Sequence, residues 1–282
     1  MTHDPLDALY EPVLPVDPDP TFAAALRARL AQTLLHGTGE NMSSETKVAQ
    51  PVEGDIGYAS LMLPDVTRAE TFYADVLGWR FEQGSVEQGR QVVGLPHQHM
   101  GLWGGQERTT AALAFAVDDT KAVVAKVRAA GGTADEPIDA PYGLAANCAD
   151  DQGMAFSVYQ SPVAERGPAP DAGTGEIVYL TFEVADTARF RAFFGEVFGW
   201  HFSQGRSGGD RFSIDGVRPL AGLSGGHADT TIVPQYVVED IDAAVAKVRA
   251  AGGTAEEPQS QPYGRSSECV DNQGTRFYLA QL

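Results

Sequence analysis

The chain has 282 residues, 43% of them apolar, with 20 basic against 38 acidic side chains and a formal charge of −18. That is length for about two domains, and the acidity repels phosphate backbones and anionic membrane surfaces, which argues against nucleic acid and membrane partners. No stretch approaches ~20 apolar residues, and the N-terminus has neither a basic start nor an apolar core, so the sequence predicts a cytoplasmic protein without span or secretory signal.

Residues 1–55 read as an extension. Residues 1–20 are rich in Pro and Asp and predict irregular chain. A single helix then carries Phe22, Leu26, Leu30 and Leu34 on one stripe, capped by Asp19 and stopped at Gly37. Its stripe needs a partner, either the rest of the chain or a second copy, so a homodimer is one expectation. Residues 37–54 are polar and Gly/Ser-rich, as linkers are.

From 56 to 160 the signals alternate. A strand from Tyr58 ends at Pro64-Asp65. A helix with Ala69, Phe72, Tyr73, Val76 and Leu77 on one side closes at Gly78. Strands are expected at Trp79–Gln83, Gln91–Gly94, Met100–Trp103 and Ala111–Val117. A second helix, Thr120–Ala130, stops at Gly131-Gly132. Strands Ala145–Ala149 and Met154–Tyr159 flank the turn Asp150–Gly153. Residues 161–176 read as a linker, and 177–282 repeat the order. The undecapeptide VAKVRAAGGTA at Val124–Ala134 recurs at Val245–Ala255, a shift of 121 residues. The same shift carries Tyr58 onto Tyr179, Asp65 onto Asp186, Trp79 onto Trp200 and Cys148 onto Cys269. One module is therefore used twice, with two β-α-β-β-β units in each copy. The expectation is a pair of modules in one body, building one shared site. The only cysteines, Cys148 and Cys269, predict two buried strand thiols.

The segment YASLMLPDVTRAETFYADVLGW resembles the opening of the vicinal oxygen chelate superfamily, which holds glyoxalase I, bleomycin-resistance proteins and extradiol dioxygenases. FYADVLGW, repeated as FFGEVFGW, and VDDTKAVVAKVRAAGG followed by an Asp-x-x-Gly turn carry the same likeness. The tandem arrangement is similar to two-module glyoxalase-like proteins. The resemblance implies an α+β fold of two tandem modules, each of paired βαβββ units in an open, curved mixed sheet barrel, here with an N-terminal helix added.

The resemblance also implies three ligand places per module for a divalent metal. They fall here on Tyr58, Ala112 and Ser157, and on Tyr179, Val233 and Tyr278. None is an imidazole or carboxylate, the donors such sites need, so no metal and no cofactor is expected. His97-Gln98-His99, two imidazoles on one side of an extended chain, is the fallback metal pair. His227 reads as a surface histidine. No G-x-S-x-G, Walker loop or dinucleotide fingerprint is present.

If the ligand places implied by the resemblance face the cavity, strand parity extends the lining to Tyr58, Ser60, Met62 and Ser157 from one copy, and Tyr179, Thr181, Glu183, Gln235, Arg276 and Tyr278 from the other. Paired tyrosines suit an aromatic ligand. The expectation is a metal-free small-molecule binding protein that sequesters an aromatic metabolite or antibiotic. The alternatives are a lyase, isomerase or hydroxylase-like enzyme with Glu183 as its candidate catalytic group, and a regulatory or assembly protein docking through its N-terminal helix.

Overall fold

The computed structural model describes residues 51–140, 142–161, 171–206 and 208–282. The expected N-terminal helix and most of the inter-module linker lie outside the described residues.

Each module starts the same way. Strand β1 (Ile56–Met62) runs into Asp65, whose carboxylate accepts from the backbone N–H groups of Thr67 and Arg68 and opens helix α1 (Val66–Leu77). Such a cap contributes about 1 kcal/mol. Gly78, at φ 72°, closes the helix in the left-handed region that glycine enters without a Cβ clash. Strands β2 (Arg80–Gln83), β3 (Gly89–Val93) and β4 (Met100–Trp103) complete the first unit. The second unit is β5 (Thr110–Val117), α2 (Thr120–Ala129, capped by Asp119), β6 (Thr133–Ala134), β7 (Ile138–Ala140), β8 (Gly143–Ala149) and β9 (Ala155–Gln160). The second copy repeats this as β10 (Ile177–Glu183), α3 (Thr187–Phe198), β11 (His201–Gln204), β12 (Arg211–Asp215), β13 (Leu220–Ser224), β14 (Thr231–Val237), α4 (Ile241–Ala250), β15 (Thr254–Ala255), β16 (Gln259–Gln261), β17 (Gly264–Val270) and β18 (Arg276–Gln281). Asp186 and Asp240 cap its helices.

Two nine-stranded mixed sheets result, ordered β2-β3-β4-β1-β5-β9-β8-β6 and β11-β12-β13-β10-β14-β18-β17-β15, with β7 and β16 pairing off β8 and β17. Each is a pair of βαβββ units joined where β1 meets β5, or β10 meets β14, antiparallel. The short strands β6, β7, β15 and β16 were not expected from the sequence. Two or three residues are too few to display alternation, and their pairing comes from β8 and β17 alongside.

The core lies between the modules and is made by exchange. From module 1, Phe72 and Tyr73 of α1 pack edge-on against Phe277 of β18, and Trp79 against Tyr236 of β14. From module 2, Phe194, Phe198 and Trp200 pack on Phe115 of β5, and Phe194 and Phe198 on Phe156 of β9. The first helix of each module thus covers the second half of the other's sheet, and all these residues belong to one buried cluster. The rim repeats the symmetry. The Gln273 amide bonds the backbone N and O of Asp65 at 2.8 and 2.9 Å, and the Gln152 amide bonds those of Asp186 at 3.2 and 3.1 Å.

Because both sheets turn their helix-packed faces to this common core, their other faces point away from each other. The expectation of one shared site is corrected here: the modules offer two separate sheet faces. Cys148 and Cys269 are buried free thiols on β8 and β17. No helix among the described residues is long and apolar enough to cross a membrane.

Candidate functional site

Strand alternation assigns each side chain to one of two faces. On β1, Ala59, Leu61 and the following Leu63 enter the core, so Tyr58, Ser60 and Met62 stand on the helix-free face, called the cup face below. On β10, Leu180 and Phe182 enter the core, so Tyr179, Thr181 and Glu183 stand on the cup face. Each tyrosine lies across the neighbouring strand. The hydroxyl of Tyr58 sits over Gly101 of β4, and that of Tyr179 over Gly222 of β13, where a Cβ would collide with it and with backbone carbonyls. The glycine is what lets the phenol lie flat. Burial raises the pKa of both phenols above the usual tyrosine value, so they are neutral donors at pH 7.

In module 1, Tyr58, Ala114 and Ser157 form a row across β1, β5 and β9, with Ser60 opposite Ala112 one step along. Tyr58 Oη reaches Gln91 Oε1 only at 3.5 Å. Ser157 Oγ donates to Asn147 Oδ1 at 3.0 Å. Tyr142 and Tyr159 pack edge to face at 6.2 Å, and burial pushes Tyr159 up to about 12. The strand residues of this face between Met62 and Ser157 are small and uncharged.

In module 2 the corresponding row is Tyr179, Gln235 and Tyr278 across β10, β14 and β18, continued by Glu268 of β17. The Gln235 amide donates to Tyr263 Oη at 3.2 Å and Ser266 Oγ at 3.1 Å. One step along the strands, Arg276 Nη1 donates to Glu183 Oε2 at 2.6 Å. Its Nη2 and Nε donate to Glu268 Oε1 at 3.0 and 3.3 Å. Tyr278 Oη donates to Glu268 Oε2 at 3.2 Å, and burial followed by that carboxylate holds Tyr278 up at about 12. The bond to Glu183 raises Arg276 further above its already high value, so it is a fixed cation. His227 joins from the loop after β13, with Nε2 3.1 Å from Ser224 Oγ and Nδ1 3.6 Å from Glu183 Oε2.

The expected lining is therefore brought together within each module, and the two sets lie on different sheets. Tyr179, Thr181, Glu183, Gln235, Arg276 and Tyr278 share one face, while Tyr58, Ser60 and Ser157 share the other. Four residues of the module 2 face escaped the sequence reading: Glu268, Tyr263, Ser266 and His227. His227, expected as a surface histidine, is only partly exposed and sits between Ser224 and Glu183. Parity alone pointed to Glu268, opposite Tyr278. Nothing in the sequence linked His227 to Glu183.

The fallback metal pair takes another role. His97 meets Glu176, a fully buried carboxylate at the module junction, through its backbone N at 2.6 Å and its Nδ1 at 3.0 Å. His99 is exposed and adds only its carbonyl, which accepts from Ala59 N. Among the described residues no group of three or more His, Cys, Asp or Glu is placed to hold a metal ion. The six family places hold three phenols, a serine hydroxyl, and an alanine and a valine with no donor atom at all. The nearby carboxylates Glu183 and Glu268 are occupied by Arg276. The residues present do not fit a catalytic divalent metal. Surface hollows of about 300 and 220 Å³ lie elsewhere, one between Ala130 and Phe193 and one along Thr133–Asp135 and β8. Of the clustered groups described above they hold only Asn147, and the convergence of polar side chains makes the cup face of module 2 the better candidate.

Residues 55–158 match the family model of the Glyoxalase/Bleomycin resistance protein/Dioxygenase superfamily. The match spans module 1, and module 2 repeats the same strand order. No curated protein matches the chain by sequence. Among solved structures, a Mn(II)-bound glyoxalase from Novosphingobium aromaticivorans superposes with a TM-score of 0.62 at 18% identity, covering 83% of each chain. The 2,3-dioxygenase LapB from Pseudomonas sp. KL28 gives 0.61 at 14%, covering 83% of this chain and 94% of its own. Homoprotocatechuate 2,3-dioxygenase from Brevibacterium fuscum, in complex with 3,4-dihydroxyphenylacetate, gives 0.61 at 16%, covering 86% of this chain and 84% of its own. At such identities the likeness is one of fold.

Proposed function

We propose that the chain is a small-molecule binding protein that holds an aromatic ligand, without a metal ion, on the cup face of module 2. The observation that supports this is the row Tyr179–Gln235–Tyr278 beside the Glu183–Arg276–Glu268 cluster. Tyrosine rings supply flat contact area, and neutral hydroxyls, an amide and a guanidinium supply a few directed bonds. Arg276 stands in the cluster as a cation that the chain carries itself, and it binds the carboxylates that a metal would require.

The test begins with the purified protein. Native mass spectrometry identifies any co-purified molecule, and elemental analysis is expected to find no stoichiometric Zn, Fe, Mn or Ni. About one such metal per chain would overturn the metal-free reading. Against the co-purified ligand, Tyr179→Phe is expected to cost about 0.5–1.5 kcal/mol of affinity, one hydrogen bond. Tyr179→Ala is expected to cost more, since ring contact goes too. Unchanged affinity in both variants would remove the cup face of module 2 from consideration. Conversion of the ligand on incubation would favour an enzyme over a binding protein.

A further inference from the structure

The module 2 cup face carries more negative than positive charge, and its negative charge is incompletely paired. Along its strands, Glu183, Glu268 and Asp215 face Arg276 and Arg211, with His201 and His227 the titratable groups beside them. Arg276 is shared between two carboxylates, so it cannot neutralise both. Glu268 has both oxygens engaged, Oε1 by Arg276 and Oε2 by Tyr278. Glu183 does not. Its ion-pair partners Arg276 and His227 both meet Oε2, at 2.6 and 3.6 Å, and no hydrogen bond reaches Oε1 among the described residues. Glu183 is only 8% exposed. That oxygen is not sealed from solvent, so it stands open to a donor from a ligand on the cup face.

We infer that the ligand of this face is an arylalkylamine in its protonated form, its ammonium donating to Glu183 Oε1 and its ring lying against Tyr179 and Tyr278. The inference rests on the reading of this face as the ligand site and adds the charge of the ligand. An anionic ligand would meet the excess carboxylate, and Arg276 keeps few N–H groups free to counter it. A neutral ring would leave Glu183 as it is. Cation–π contact with the tyrosines favours the same class. Module 1 supplies an internal control, because Met62, Asn147 and Ala155 replace Glu183, Glu268 and Arg276 there.

The experiment uses the full chain and three probes with one ring: 2-phenylethylamine, 2-phenylethanol and 3-phenylpropionate. Affinities are measured at low salt by titration calorimetry, and the face is located by amide and tyrosine NMR shifts around Tyr179, Gln235 and Tyr278. The amine is expected to bind at least tenfold tighter than the alcohol, with the acid weakest. Glu183→Gln, which keeps the side-chain shape, is expected to remove most of the tenfold margin between the amine and the alcohol. A second variant, Glu268→Gln, keeps the proposal testable if the first fails to fold, and is expected to narrow the same margin. Equal affinity for the three probes, a preference for the acid, or a margin that survives both glutamine variants overturns the cationic assignment alone. No shift at Tyr179, Gln235 or Tyr278 with any probe overturns this inference and the ligand-site reading together.

Discussion

The two cup faces come from the same repeated module and have diverged in charge, while the core faces of the same strands have changed in size and stayed buried. Behind β9 and β18, Phe156 and Phe277 both lie in the shared core, as do Val158 and Leu279. In front of them, Ser157 stands opposite Asn147 in module 1, and Tyr278 opposite Glu268 in module 2. Met62, Ala155 and Asn147 have no charge; Glu183, Arg276 and Glu268 are all charged and bonded to one another. The difference teaches that the charges form one unit. A lone glutamate at position 62 would stand beside Thr110 and Trp103 with no cation near it on those strands. Packing keeps the core face buried while volumes trade between the copies, Ala59 for Leu180 and Leu61 for Phe182. The cup face is free to vary as long as its charges change together.

The largest expected effect breaks the half of the comparison that is shared. Phe156→Ala and Phe277→Ala remove equivalent fully packed rings, each expected to cost about 3–5 kcal/mol. Both are expected to lower a single unfolding transition, since each ring also packs on the other module's helix. Calorimetry checks this. Two separated transitions, with only one module's shifted, would make the modules independent domains and undo the exchanged-core account.

The charge unit is the next place to press. Arg276→Ala leaves Glu183 buried without its main partner and is expected to cost about 1–3 kcal/mol, the penalty of an unsatisfied charged group. Replacing Glu183, Glu268 and Arg276 together by Met, Asn and Ala, the module 1 set, is expected to be near neutral, because desolvation offsets much of what a buried pair gains. Chemical denaturation of the single and triple variants measures both. A triple variant as unstable as the single one would show that the cluster holds module 2 together.

How much of this was legible in the sequence follows from which forces act locally. The helix stop at Gly78 and its repeat at Gly199 were readable because a helix end is set within a few residues of chain. Parity placed Tyr179, Glu183, Gln235, Arg276 and Tyr278 on one face, since alternation is a property of one strand at a time. The exchange of helices between modules was not readable, because Phe194 is as apolar as a residue packing on its own sheet. Nor was the role of His97, whose partner Glu176 is brought to it by the junction. His227 reaches Glu183 through a loop, which has no period to read.

Alkaline pH tests whether the shared thiols are equally enclosed. Burial pushes Cys148 and Cys269 from 9.0 to about 11 in the folded chain. Above about pH 9 the unfolded chain releases these protons and the folded chain does not. The stability from each thiol is therefore whole below pH 9 and is lost as pH rises through about 11. At pH 10 each is expected to have cost roughly 1 kcal/mol. Cys148→Ala and Cys269→Ala should each remove a similar part of that alkaline slope in denaturant midpoints. A slope that vanishes with one variant and is untouched by the other would mean that only one strand is sealed.

The smallest effect bears on the two tyrosines that occupy the same place in both copies. Neither ring belongs to the core cluster, and both lie flat over a glycine on the cup face. The Tyr58 hydroxyl reaches Gln91 only at the 3.5 Å limit, so little hydrogen-bond energy is lost there without it. Tyr58→Phe and Tyr179→Phe are therefore expected to change stability by no more than about 0.5 kcal/mol, in the range of substitutions away from packed interiors. For a unit of this size that is a melting shift of about 1–2 °C. The two variants then part in binding: Tyr179→Phe weakens the ligand held on module 2, and Tyr58→Phe leaves it unchanged, because Tyr58 lies on the other sheet. Thermal melts and calorimetric titration on the same two proteins decide it. If Tyr179→Phe lowers the melting temperature by several degrees and leaves ligand affinity intact, Tyr179 holds up the sheet, and the module 2 row has been given the wrong role.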